Sequence, residues 1–277
     1  MMNDVTPMLT KQQFLSVFCF CAATVLLIPV EMFYMGAVVW ALGVMTLFRQ
    51  HDSGFRRRMG VLFLCIALLS IAPIHTERSN SHFLSLSPFF CIVVFVPFLI
   101  LRKTDPGVID YRFWPRRLRR MDILYTLISI PLAWLVLSGY FFWLSPEVPD
   151  NWPMPQPYTN EGRLRLFVGI NAVGIWDELF FVNTVFAILR SCMPFRYANI
   201  AQAFVYTSVL NDMAFTGIGP FVVGYFALTQ GFMYEKSKCL FYVLLVHIIV
   251  DYFLIEAILY YHYPDMSHVI RWLTPTP

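Results

Sequence analysis

Charge is what this 277-residue chain has least of. Asp, Glu, Lys and Arg together supply 13% of it, against about 25% in a soluble globular domain. Hydrophobic residues supply 58%, more apolar surface than a water-soluble core of this size can bury, so the composition excludes an ordinary soluble domain and requires a bilayer as solvent. A spanning backbone must satisfy its own hydrogen bonds, which leaves helices or a closed barrel, and long unbroken apolar runs select helices. No Asn-x-Ser/Thr acceptor occurs, which fits a bacterial chain and a bacterial cytoplasmic membrane. The N-terminal stretch lacks a short apolar region followed by a small-residue cleavage site, so the first run reads as a retained anchor. The six cysteines, at 19, 21, 65, 91, 192 and 239, have the spacing of neither a zinc site nor a disulfide framework and read as small buried hydrophobic residues. A nucleic-acid signature, an internal repeat and low complexity are all missing from the sequence.

What is present is a series of nine apolar runs, at 14–28, 33–48, 59–74, 83–101, 123–144, 164–189, 198–215, 221–234 and 239–261. They predict an all-α polytopic bundle of about nine spans, or eight if the first two runs merge across Pro29, Val30 and Glu31. Several runs are shorter than the ~20 residues that a perpendicular span needs, which implies tilt or a re-entrant turn. Placing the N-terminus in the cytoplasm puts sixteen Lys and Arg residues inside and only Arg78, Arg163, Arg165 and Arg271 outside, as the positive-inside tendency requires, with the C-terminus external. The chain divides into 1–121, helices joined by basic loops, and 122–277, which contains a polar core at about 164–261. The basic stretch from 102 to 120, interleaved with Tyr111, Phe113 and Trp114, suits an anionic leaflet surface, with a recognition surface for a soluble partner as the alternative. The segment 145–162 holds five prolines, three acidic residues and two aromatics and is expected to be extended and solvated.

Ionisable groups inside lipid cost several kcal/mol unless they face one another, water or a substrate, so they are candidate functional groups. Apart from Glu31 between the first two runs, the acidic residues within runs are Asp177, Glu178, Asp212, Asp251 and Glu256, all in the last four runs, and His247 is the one histidine of six inside a run. His247 and Asp251 are four residues apart and share a helix face. Asp177 and Glu178 diverge by about 100°, so at most one should point straight at a shared site; Asn211 and Asp212 pose the same choice one helix later. Glu256 falls on a different face and is left out. A carboxylate and an imidazole side by side in a water-poor site can share a proton, as a general base requires, and a neighbouring Asn or protonated Asp can donate to a developing oxyanion.

The segment Asp177-Glu178-Leu179-Phe180-Phe181, followed some 65 residues later by His247-Ile248-Ile249-Val250-Asp251, resembles two motifs of the glutamic intramembrane proteases of the CAAX-processing and bacteriocin-processing type (CPBP). Those motifs are two acidic residues, three residues, then Arg, and a His followed four later by Asn or Asp. The resemblance covers 174–254. It implies a helical cluster in which Glu178 and His247 activate water for proteolysis within the membrane while Asp251 orients His247 or helps bind the tetrahedral intermediate. The chain departs from the family at Val182, where Arg is expected, at Asn183, where Gly often follows, and in lacking a middle histidine, whose position falls near Asn211 or Asp212. An Asn there can supply a hydrogen bond but cannot act as a general base.

Three readings follow. The chain is an intramembrane peptidase acting on a membrane-associated protein or peptide, with catalytic candidates Glu178, His247, Asp251, Asn211, Asp177 and Asp212. Alternatively, it is an inactive relative in which those groups are interhelical hydrogen-bonding glue, serving as a binding, chaperone or partner subunit of a membrane protein complex. A proton-linked transporter is disfavoured because only 216–220 offers a Gly/Pro break and no repeat is evident. Membrane lipid is the expected environment, and neither a cofactor nor a metal is expected, since one His with Asp and Glu lacks the donors zinc usually takes.

Overall fold

Polar residues just before the apolar runs set where the helices begin. Thr10, Asp52, Ser79 and Thr159 each accept a hydrogen bond from the backbone N–H three residues on, satisfying a donor that the first helical turn leaves free. The computed structural model describes residues 8–77, 79–155, 158–211 and 217–265. Among these the protein is all-helical, with nine helices: α1 Lys11–Leu27, α2 Phe33–Phe48, α3 Ser53–Leu69, α4 Asn80–Thr104, α5 Arg120–Leu144, α6 Asn160–Cys192, α7 Phe195–Asn211, α8 Gly219–Ser237 and α9 Leu240–His262. Over the described residues, each apolar run corresponds to one helix. Four of them, α4, α5, α6 and α9, with 25, 25, 33 and 23 residues, are long and apolar enough to cross a membrane.

The first two runs are separate helices. Glu31, at a left-handed φ of 53°, lies in the turn between them, and α2 runs back along α1: the Ser16 and Thr46 hydroxyls are 2.6 Å apart, and a Cβ on Gly36 would come within 2.6 Å of the Leu27 side chain. A small residue at such a crossing lets two backbones approach closely, which matters where lipid supplies no hydrophobic drive between helices. α3 begins six residues before its apolar run because Asp52 caps it and Arg57 and Arg58 find partners. Both pair with Asp105 just after α4, at 2.6 and 2.9 Å, and Arg58 also donates to the Ser191 carbonyl near the end of α6.

These contacts gather the basic ends of several helices together. Arg190 pairs with Glu235 at 3.2 Å, Lys238 pairs with the same carboxylate at 2.6 Å, and the carbonyls of Arg112 and Phe113 accept from the first N–H groups of α9. One apolar core, from Val17 to Val243, runs through both sequence regions, and Trp176 of α6 stacks on Phe90 of α4 at 3.7 Å while donating to the Phe90 carbonyl. Of the cysteines, Cys19, Cys65 and Cys239 are buried, and all six are free thiols; Cys91 departs from expectation in being exposed.

The segment 145–162 corrects the expectation of a solvated loop. Its residues 148–151 form a 3₁₀ turn, and Val148, Trp152 and Met154 are buried in a second apolar cluster with α5 and α9. The prolines make the chain stiff, but the apolar residues between them have a surface to bury against, and that burial outweighs the solvated alternative. Residues 145–155 of this segment therefore cover the helix ends opposite the basic ones, and residues 156–157 lie outside the described residues.

Candidate functional site

α6 changes character where its acidic pair lies. After Asp177 it widens into π-helical turns over Glu178–Phe186 before returning to α geometry, and the Thr184 hydroxyl donates five residues back, to the Leu179 carbonyl. Such segments are rare and re-aim side chains, often at functional sites. Here the acidic pair sits at the transition, and both carboxylates reach the same imidazole. His247 of α9 is held by its Nδ1, 2.7 Å from Glu178 Oε1, while its Nε2 lies 3.7 Å from Asp177 Oδ2 and 3.5 Å from Asp251 Oδ1. The expectation that only one of the adjacent acidic residues would face the site is thus corrected: the ring lies between them, and each approaches a different nitrogen.

Glu178 is fully buried, and a chain of hydrogen bonds keeps it in place. Gln230 of α8 donates through Nε2 to Glu178 Oε1 at 2.7 Å and to the Val243 carbonyl at 2.8 Å, and its Oε1 accepts from the Tyr125 hydroxyl of α5 at 3.0 Å. The Val243 carbonyl can only accept, so this network fixes which way the amide faces. With Glu178 accepting, Nδ1 of His247 carries the hydrogen, and the Nε2 of a neutral ring presents its lone pair to the other side. Phe226 meets the imidazole edge-on, with centroids 5.2 Å apart, and completes the seat.

The other side is a cavity of about 480 Å³. Asp177, His247 and Asp251 line its buried end; apolar residues of α5, α6, α7, α8 and α9 line its middle; His75, Glu77, His82 and Trp152 line its far end. Glu178 is not among the lining residues. Buried oxygens of all three carboxyls, Asp177 Oδ1, Glu178 Oε2 and Asp251 Oδ2, lack a hydrogen-bond partner among the described residues. Buried polar atoms are normally paired, so the two oxygens on the cavity wall are suited to water or a polar occupant. Gly174, one turn before Glu178, makes the approach of α6 to α9 possible, since a Cβ there would lie 2.2 Å from Asp251 Oδ2 and 2.9 Å from His247 Nε2.

Of the residues singled out from sequence, the structure brings together Glu178, His247, Asp177 and Asp251. Asn211 is the last residue of α7, half-buried, and does not line the cavity; Tyr206 and Leu210 of the same helix do. Asp212 lies outside the described residues. Tyr206 is fully buried, and its hydroxyl is another polar atom near the site with no hydrogen-bond partner among the described residues. Sequence reasoning missed Gln230, Tyr125, Tyr206 and Gly174. The polar Gln230 inside the apolar run 221–234 was the one available signal; the others read as ordinary residues of apolar helices. Val182 and Asn183, at the positions where the resemblance expects Arg and Gly, are fully buried, and Asn183 accepts a hydrogen bond from the Tyr234 hydroxyl. No family model, curated protein or solved structure matches the chain.

Proposed function

We propose that this chain is an integral membrane hydrolase of the glutamic intramembrane peptidase type, which cleaves a peptide bond of a membrane-associated substrate. The observation that carries the proposal is the imidazole held by a buried carboxylate on Nδ1, with Nε2 turned toward two further carboxyls on the wall of a cavity. A carboxylate behind the ring fixes its tautomer and stabilises the imidazolium that forms, as in hydrolytic triads. His247 then takes a proton from a water at the buried end of the cavity, and that water attacks the carbonyl carbon. A proton held by Asp177 or Asp251 stabilises the oxyanion, and the proton on His247 passes to the leaving amine. Glu178 acts as the positioning group, a different part from the activation of water that the family resemblance implies for it together with His247. The apolar middle of the cavity suits a substrate segment drawn from lipid.

In this reading the membrane is the bacterial cytoplasmic membrane. The N-terminus and the basic helix ends lie in the cytoplasm, the basic 102–120 segment rests on the leaflet, and the cavity is entered from the external side under segment 145–162. Nine spans with an external C-terminus accommodate this arrangement. A second reading, an inactive relative serving as a partner subunit, is favoured by Val182 in place of Arg and by the lack of a second histidine in the described cavity wall near His247. N-terminal peptide profiling of membranes from cells expressing the wild type, His247→Ala and Glu178→Ala at equal levels separates the two. The hydrolase predicts cleavage products within apolar segments that vanish in both variants. Identical profiles in all three, with the protein intact in the membrane, overturn it, and stoichiometric copurification with another membrane protein then supports the partner role.

A further inference from the structure

The far end of the cavity carries a second polar cluster, separate from the His247 constellation. His75 and Glu77 lie on the connection between α3 and α4. His82, expected to precede its apolar run, lies in the first turn of α4 because Ser79 caps that helix through the His82 N–H at 3.1 Å. One possible ligand atom from each of the three residues lies within 4.8 Å of the other two. The His75 and His82 rings are 4.1 Å apart between centroids, and His75 Nε2 is 3.6 Å from Glu77 Oε2. The connection is tied down: the Thr76 hydroxyl donates to the Asn151 carbonyl at 2.6 Å, the Ser79 hydroxyl donates to Glu77 at 2.5 Å, and a His82 ring nitrogen lies 3.1 Å from the His75 carbonyl.

We propose that His75, Glu77 and His82 form a binding site for a divalent metal ion of the zinc class at the cavity's far end. Two imidazoles and one carboxylate are the donor set of zinc sites that keep an open coordination position. An ion bound at about 2.0–2.2 Å from each donor brings the donors to roughly 3.4 Å from one another in tetrahedral geometry, so a cluster whose donors lie within 4.8 Å of one another has up to about 1.4 Å to close. The required movement falls on His75 and Glu77, whose side chains are 52% and 54% exposed, while buried His82 supplies a fixed point. All three residues line the cavity, so the fourth ligand comes from the cavity: a water, or a carboxylate, phosphate or carbonyl oxygen of an occupant. A metal here anchors the polar end of a molecule whose apolar part lies in the cavity's middle.

The test uses the full chain in detergent, stripped with a chelator and titrated with zinc or cobalt(II). One equivalent of zinc is expected to be retained through gel filtration, and bound cobalt is expected to show the visible absorption of a four-coordinate site. His75→Ala and Glu77→Gln, both at exposed positions, should each weaken binding by more than about tenfold, whereas His51→Ala, at an exposed histidine outside the cavity, should not. No metal retained by the wild type overturns the proposal. So does equal retention by the folded double variant His75→Ala/Glu77→Gln, because the ion would then be held elsewhere. Metal binding is read without turnover, so this result is independent of whether the His247 constellation is catalytic.

Discussion

Gly174→Ala is the substitution that most directly probes how α6 meets α9. The added methyl would lie 2.2 Å from Asp251 Oδ2, 2.7 Å from His247 Cδ2 and 2.9 Å from His247 Nε2, all far inside van der Waals contact. The imidazole cannot retreat, because Glu178 holds it from behind at 2.7 Å and Phe226 bounds its edge. The helices must therefore separate, at the ~1–3 kcal/mol typical of overpacking, toward the upper end where the obstructed atoms are pinned. Alanine also removes glycine's helix penalty of roughly 0.5–1 kcal/mol, which leaves a net loss of about 1–2 kcal/mol. The control is Gly169→Ala, five residues earlier on the same helix and lining the same cavity, where an added Cβ meets nothing within 4 Å. That variant should gain the helix term alone. Thermal unfolding in detergent should place Gly174→Ala below the wild type and Gly169→Ala at or above it, separated by about 4–10 °C at roughly 2–4 °C per kcal/mol. If the two variants unfold at the same temperature, the close approach of Gly174 to His247 and Asp251 is wrong, and with it the geometry of the site.

Three further outcomes follow from the same contacts. Glu178→Leu, close in size, leaves His247 Nδ1 buried without its partner and should cost about 3 kcal/mol, whereas Glu178→Gln, which keeps an acceptor, should cost clearly less; chemical denaturation of both variants checks the order. Tyr125→Phe removes the hydroxyl that orients Gln230 and should cost about 1 kcal/mol, with no further loss when combined with Gln230→Ala if the two act as one chain. Asp105 is held down to about 2 chiefly by the Arg57 hydrogen bond, with Arg58 adding to it against the opposing effect of burial. Its pKa in the folded protein is thus below the ~3.9 of an unfolded Asp. The resulting stability, about 2 kcal/mol, is fully present above about pH 4 and is lost as the pH falls toward about 2. Unfolding measured across that window should lose this slope in Asp105→Asn, and an unchanged slope would falsify the assignment.

Much of the architecture was legible before any tertiary contact was considered, because apolar periodicity and capping chemistry are local. Nine apolar runs correspond to the nine helices among the described residues, the run at 33–48 coincides with α2, and Thr10, Asp52, Ser79 and Thr159 act where a short polar side chain can reach a free backbone donor. The pairing of His247 with Asp251 was equally local, since four residues on a helix bring two side chains to one face. What the sequence could not decide was how each helix is rotated against its neighbours, because that depends on complementarity between residues far apart in the chain. Segment 145–162 looked solvated until α5 and α9 offered Val148, Trp152 and Met154 a surface. Asn211 looked suited to the site until the packing of α7 turned Tyr206 and Leu210 to the cavity instead. The adjacent carboxyls Asp177 and Glu178 looked like alternatives; the π turn of α6, the room left by Gly174 and the grip of Gln230 let both approach His247. The helices follow from local pattern, whereas the seat of His247 exists only where α5, α6, α8 and α9 meet.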